Sequence, residues 1–120
     1  MYLFVYGSLK RGQSPLAAEL WSQAEFAGLA TVEGTLYRLA HYCGMVDGPG
    51  RVHGELARLL SPETIFAQLD EYQGSDYTRV LRPALLDSGA TVQTMVYMYS
   101  GRLDSVAVIP SGRWPEISSE

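Results

Sequence analysis

The sequence predicts an α+β domain in which five or six strands form one mixed or closed sheet flanked by two short helices. Three observations predict it. Runs of strand-forming residues recur along the chain, and only two segments carry helical spacing, each opened by a Ser-Pro pair. Helices and strands do not alternate in a β-α-β rhythm. At 120 residues, 47% of them hydrophobic, the chain forms a single domain, 1–120, whose core buries about two-thirds of the unfolded surface.

The elements follow in order. Tyr2 to Tyr6 is an apolar run of β-formers that stops at Gly7-Ser8, so it reads as a buried strand opening into a turn. Lys10 to Ser14 is a polar, glycine-containing loop. Ser14-Pro15 supplies an N-cap and a first-turn proline for a helix over about 15–22, with Leu16, Leu20 and Trp21 on its packed face. Phe26–Val32 and Thr35–Leu39 are strands separated by a hairpin or bulge at Glu33-Gly34. His41 to Arg51, with three glycines between Gly44 and Gly50 and with Pro49, predicts a long loop. Val52–Leu59 is the next strand, and its Glu55 needs a partner if half-buried. Ser61-Pro62-Glu63 opens the clearest helix, whose buried stripe is Ile65, Phe66, Leu69 and Tyr72, and Gly74 ends it. Tyr77–Leu86 and Thr91–Tyr99 are strands joined by a turn at Asp87-Ser88-Gly89-Ala90. The tail reads as a covering loop with Trp114, and residues 116–120 as a frayed end.

Composition excludes several function classes. A net charge of −4 with dispersed arginines gives no basic stripe for nucleic acid. No apolar run approaches the roughly 20 residues that span a bilayer, and the N-terminus lacks the layout of a signal peptide. One cysteine, Cys43, and two histidines, His41 and His53, support neither an internal disulfide nor a metal centre. The expected setting is the cytoplasm. No nucleotide-binding glycine loop is present.

Chemistry is best sought at the first strand end. Gly7 permits close backbone approach or a positive φ, Ser8 brings a hydroxyl, and successive N–H groups in such a turn can form a nest for a carboxylate or phosphate. The plainer alternative is a strand-turn in which glycine serves geometry alone.

Five segments in register resemble one family. Phe4-Val5-Tyr6-Gly7-Ser8-Leu9-Lys10-Arg11-Gly12 resembles the signature loop of the γ-glutamylcyclotransferase-like family, including its γ-glutamylamine branch. Val32–Tyr37 and Val52–Leu56 are similar to its internal "G-x-L-Y" and "V-x-G-E" strands. Leu69-Asp70-Glu71-Tyr72-Gln73-Gly74 with Tyr77-Thr78-Arg79 resembles "LDxxEG…YxR", and Ser111-Gly112-Arg113-Trp114 the closing "SGxW" of small bacterial members. The resemblance implies a small mixed β-barrel with flanking short helices and no cofactor. It implies a small-molecule γ-glutamyl or other carboxylate ligand, with the chain itself a monomer or weak dimer. The implied activity is cyclisation of a γ-glutamyl amide or amine adduct to 5-oxoproline with release of the amine. The backbone at Tyr6, Gly7, Ser8 and Leu9 would hold the substrate's α-carboxylate. Ring closure is intramolecular, so positioning supplies much of the rate, and one carboxylate can carry the proton from the attacking amine to the leaving one.

In the family that carboxylate is the Glu of "LDxxEG", and here Gln73 occupies the position. Glutamine cannot act as a general base near neutral pH, and losing such a base costs about 10²–10⁴ in rate. Asp70, three residues earlier on the same helical side, is the candidate substitute, with Asp76 and Glu55 as alternatives. Glu71 points elsewhere, about 200° round the helix. Tyr77 could place its phenol on the substrate or simply pack as a strand residue. Arg79 is expected to pair with Asp70 or Glu55. The chain is therefore expected to be either a cyclotransferase with a relocated base or a non-catalytic protein that binds a γ-glutamyl ligand.

Overall fold

A computed structural model describes residues 1–39, 42–103 and 106–114. It contains β1 (Tyr2–Val5), α1 (Pro15–Trp21), β2 (Ala24–Arg38), β3 (Cys43–Leu59), α2 (Pro62–Gln73), a 3₁₀ turn (Gly74–Asp76), β4 (Tyr77–Leu86), β5 (Thr91–Tyr99) and β6 (Ala107–Val108). The strands neighbour one another in the order β3-β1-β5-β4-β2-β6. A further β3–β2 pairing closes five of them into a barrel. β1 runs parallel to β5 and every other pairing is antiparallel, so the barrel is mixed.

β1 is uninterruptedly apolar because both its faces are buried. Phe4 points into the barrel with Val32, Leu36, Met45, Leu56 and Val96. Leu3 and Val5 point outward, into a second core shared with Leu20 of α1 and Ile65, Phe66 and Leu69 of α2. A strand buried on both faces cannot show polar alternation. The helices thus cover one side of the barrel, and the end of β1 emerges between the two cores.

Several sequence expectations need correction. Of the two readings of Glu33-Gly34 the bulge holds and the hairpin does not: β2 runs through it, with a register shift between Glu33 and Thr35 against β3. The loop expected over 41–51 is strand from Cys43 onward, paired with β2 from Arg38↔Cys43 to Thr35↔Val46 and again at Glu33↔Arg51, with 47–50 bulging between. Gly48, Pro49 and Gly50 sit on an exposed ribbon where Gly48 and Gly50 take positive φ, and Thr35 Oγ1 donates to the Pro49 carbonyl (2.6 Å). Such a ribbon edge tolerates breakers that a central strand would not. His41 lies outside the described residues, as do 116–120. Tyr72 is exposed and does not belong to the buried stripe of α2. Ser61 precedes α2 but makes no side-chain cap, whereas Ser14 Oγ accepts the Ala17 N–H (3.1 Å) as expected. The tail is not all loop, since β6 pairs with β2. Among the described residues no helix is long and apolar enough to cross a membrane.

Candidate active site

The turn after β1 is fixed by bonds that consume its carbonyls. Gly7 O accepts from Lys10 N (3.1 Å), Ser8 O from Ser14 Oγ (2.7 Å) and Leu9 O from Trp21 Nε1 (2.9 Å). The loop is also tied to β3, because Arg11 N donates to Glu55 Oε1 (2.8 Å) and the Arg11 side chain pairs with the same carboxylate. Glu55 is therefore a structural anchor, and its half-buried charge has the partner that its place in the strand requires. The N–H groups of Ser8 and Leu9 meet no acceptor among the described residues. Two free N–H groups on a braced turn are what a carboxylate cradle needs. Gly7 does not take a positive φ. A Cβ there would meet Cys43 Sγ at 3.1 Å and Trp114 Cδ1 at 3.8 Å, so close approach, not left-handed backbone, explains the glycine.

The turn forms one wall of a cavity of about 380 Å³. Tyr6, Gly7, Ser8 and Leu9 line it together with Gln73, Asp76 and Tyr77, and Tyr97 and Cys43 belong to the same lining. The last residue of α2 and the 3₁₀ turn are thus brought against a loop more than sixty positions earlier in the chain. Of the candidate bases singled out from sequence, Asp76 lines the cavity, whereas Glu55 and Asp70 stay outside the lining; Asp70 is engaged elsewhere. Its carboxylate is held bidentately by Arg79 (Nε–Oδ1 and Nη2–Oδ2, both 3.0 Å) and accepts the Tyr97 hydroxyl at 2.6 Å. Arg79 in turn lies 4.1 Å over the Phe66 ring. Burial works to raise the Asp70 pKa, but the Tyr97 hydroxyl and the Arg79 guanidinium outweigh it and hold the carboxyl below its usual range. Such a carboxylate is a weak base already committed to two donors. Among the described lining residues, Asp76 is the single carboxylate, and there is no Lys or Arg.

The tyrosines are also fixed. Tyr6 donates to the Tyr97 carbonyl (2.6 Å) and accepts from Met45 N (3.2 Å). Tyr77 donates to the Cys43 carbonyl (2.7 Å), which leaves its oxygen able to accept from a ligand. Burial, followed by the nearness of Cys43, raises the pKa of both phenols, so they remain protonated hydrogen-bond groups. Burial pushes the Cys43 thiol up to about 12, leaving it a packing residue without thiolate character. Sequence reasoning passed over Tyr97, Tyr42 and Cys43. Alternation in β5 gives a signal for Tyr97: Val96 faces the barrel, so Tyr97 must face α2.

A closed mixed barrel whose first loop and second helix converge on one cavity defines the class of protein. Residues 3–116 match the family described as gamma-glutamyl cyclotransferase, AIG2-like, and the chain belongs to that family. It is 33% identical over 117 residues to the gamma-glutamylcyclotransferase family protein YtfP of Escherichia coli K12, covering 95% of this chain and 96% of the relative. The solution structure of ytfP from Escherichia coli superposes with a TM-score of 0.70 at 35% identity, covering 97% of each chain. An AIG2-like protein of Mus musculus superposes with a TM-score of 0.71 at 25% identity, covering 86% of this chain and 80% of the other.

Proposed function

We propose that the cavity binds a γ-glutamyl group and that Gln73 makes the chain a holder of this ligand, not a fast cyclotransferase. One observation carries the reading: Gln73 lines the same cavity as Ser8 and Leu9, whose N–H groups meet no acceptor among the described residues. The α-carboxylate sits on those two N–H groups, as a small anion does in a backbone nest. The γ-amide then lies within reach of the Gln73 side chain, which can donate to its oxygen or accept from its nitrogen. Neither action removes a proton from the α-ammonium, and without that the amine has no lone pair with which to attack the γ-carbonyl.

A second reading has one observation in its favour. Asp76 lines the same cavity, and a carboxylate there could take the ammonium proton and return it to the leaving amine. The two readings separate in an assay of 5-oxoproline release from γ-glutamyl amides. The parent is expected to be slow, and Gln73→Glu to raise the rate by about 10²-fold or more. A fast parent that Asp76→Asn silences, with Gln73→Glu bringing no gain, would replace the first reading by the second.

A further inference from the structure

From the rim of the cavity we infer that the amine carried by the γ-glutamyl group is one with a cationic tail. Tyr42, Tyr72 and Asp76 stand at the mouth, and the two rings are 43% and 54% exposed, too open for core packing to account for both. Half-buried Tyr77 forms cavity wall beside Tyr42, its ring centroid 6.4 Å from that of Tyr42 and 5.4 Å, edge-on, from that of Tyr99. The Tyr77 hydroxyl bond to the Cys43 carbonyl fixes that wall in place. The Asp76 backbone is pinned as well, its carbonyl accepting from Ser100 N (2.7 Å). The Asp76 carboxylate itself meets no cation or donor among the described residues. Aromatic faces beside an unneutralised carboxylate attract an ammonium and repel an anion.

The two ends of the site therefore differ in sign. At the more buried end are half-buried Ser8 and buried Leu9 with their unpaired N–H groups, followed in the same turn by half-buried Lys10. At the rim are tyrosine faces and a carboxylate. A γ-glutamyl amide laid with its α-carboxylate inward directs its amine substituent outward past Gln73, to Tyr42, Tyr72 and Asp76. This assignment rests on the reading of the cavity as a γ-glutamyl site.

Three probes of matched length test it by calorimetry: the γ-glutamyl amides of butylamine, of 1,4-diaminobutane and of 4-aminobutanoate, whose tails are neutral, cationic and anionic. The diaminobutane amide is expected to bind about tenfold more tightly than the butyl amide, with the carboxylate-tailed amide weakest. Asp76→Asn and Tyr42→Leu should each narrow the gap between the cationic and neutral probes. Equal affinity for those two probes would overturn the assignment while leaving the γ-glutamyl reading intact. A loss in Asp76→Asn that is the same for all three probes would also overturn it, since Asp76 would then meet the α-ammonium common to them. Binding of none of the three would remove the γ-glutamyl reading and this assignment together.

Discussion

At the scale of single residues, Asp70 shows how a sequence position and a structural role come apart. Helical spacing puts it on the same side as Gln73, yet its carboxylate turns to Arg79 and Tyr97 and braces α2 against β4 and β5. Removing it leaves the Tyr97 hydroxyl and the Arg79 guanidinium short of an acceptor. Because the side chain is 45% exposed, Asp70→Asn should cost only about 1–2 kcal/mol near neutral pH, measured by denaturant unfolding. The folded-state pKa lies below the ordinary 3.8, so the folded state binds fewer protons than the unfolded state in that range. The stabilisation is complete above the unfolded value and is lost as pH falls through the lower folded value. Parent and Asp70→Asn should therefore converge in stability below about pH 4, and a gap that stayed constant from pH 7 to pH 3 would contradict this. Sequence alone named the Asp70–Arg79 pair as one of two options. It could not show the Tyr97 hydroxyl completing it, because Tyr97 comes from a strand whose register against α2 is a tertiary fact.

At the scale of elements, the helices and the β4–β5 hairpin were legible and the ribbon over 43–51 was not. Ser-Pro starts, a glycine stop and an alternating strand are local signals, and they placed α1, α2, β4 and β5 to within a residue or so. The glycines and Pro49 of β3 read as loop because breaker residues carry no information on whether a partner strand tolerates them. Here β2 pairs on both sides of them, at Arg51 and at Val46, and residues 47–50 bulge out at the register shift around Gly34. Tyr72 was misplaced for a related reason. Its spacing fits the stripe of α2, but the last turn of that helix overhangs the cavity, where an exposed ring lines the mouth. Gly74 ends the helix at φ 72 and ψ −163, a region open to almost no other residue, and so fixes how Gln73 and Asp76 are presented. A Cβ at Gly74 would clash with nothing, so Gly74→Ala tests backbone strain alone. It should lower stability by about 1–3 kcal/mol in denaturant unfolding and weaken binding of the γ-glutamyl butyl amide. An alanine variant as stable as the parent would show that the turn relaxes without cost.

At the scale of the whole molecule, closure of the barrel makes the site. β1 lies between β3 and β5, and the turn at its end shares one cavity with the end of α2. The prediction of a mixed or closed sheet left that closure open, and only the family resemblance implied a barrel. The convergence of Tyr6–Leu9 with Gln73 was likewise out of reach of spacing, since it depends on two cores meeting at the end of β1. Whether that convergence is a γ-glutamyl site is the central claim, and ¹H–¹⁵N correlation spectra with the γ-glutamyl butyl amide test it most directly. A carboxylate on the free amides should move the Ser8 and Leu9 backbone signals downfield, and the Gln73 side-chain amide should shift in the same titration. Saturable binding that left those three signals in place, or moved signals at another surface instead, would contradict the account.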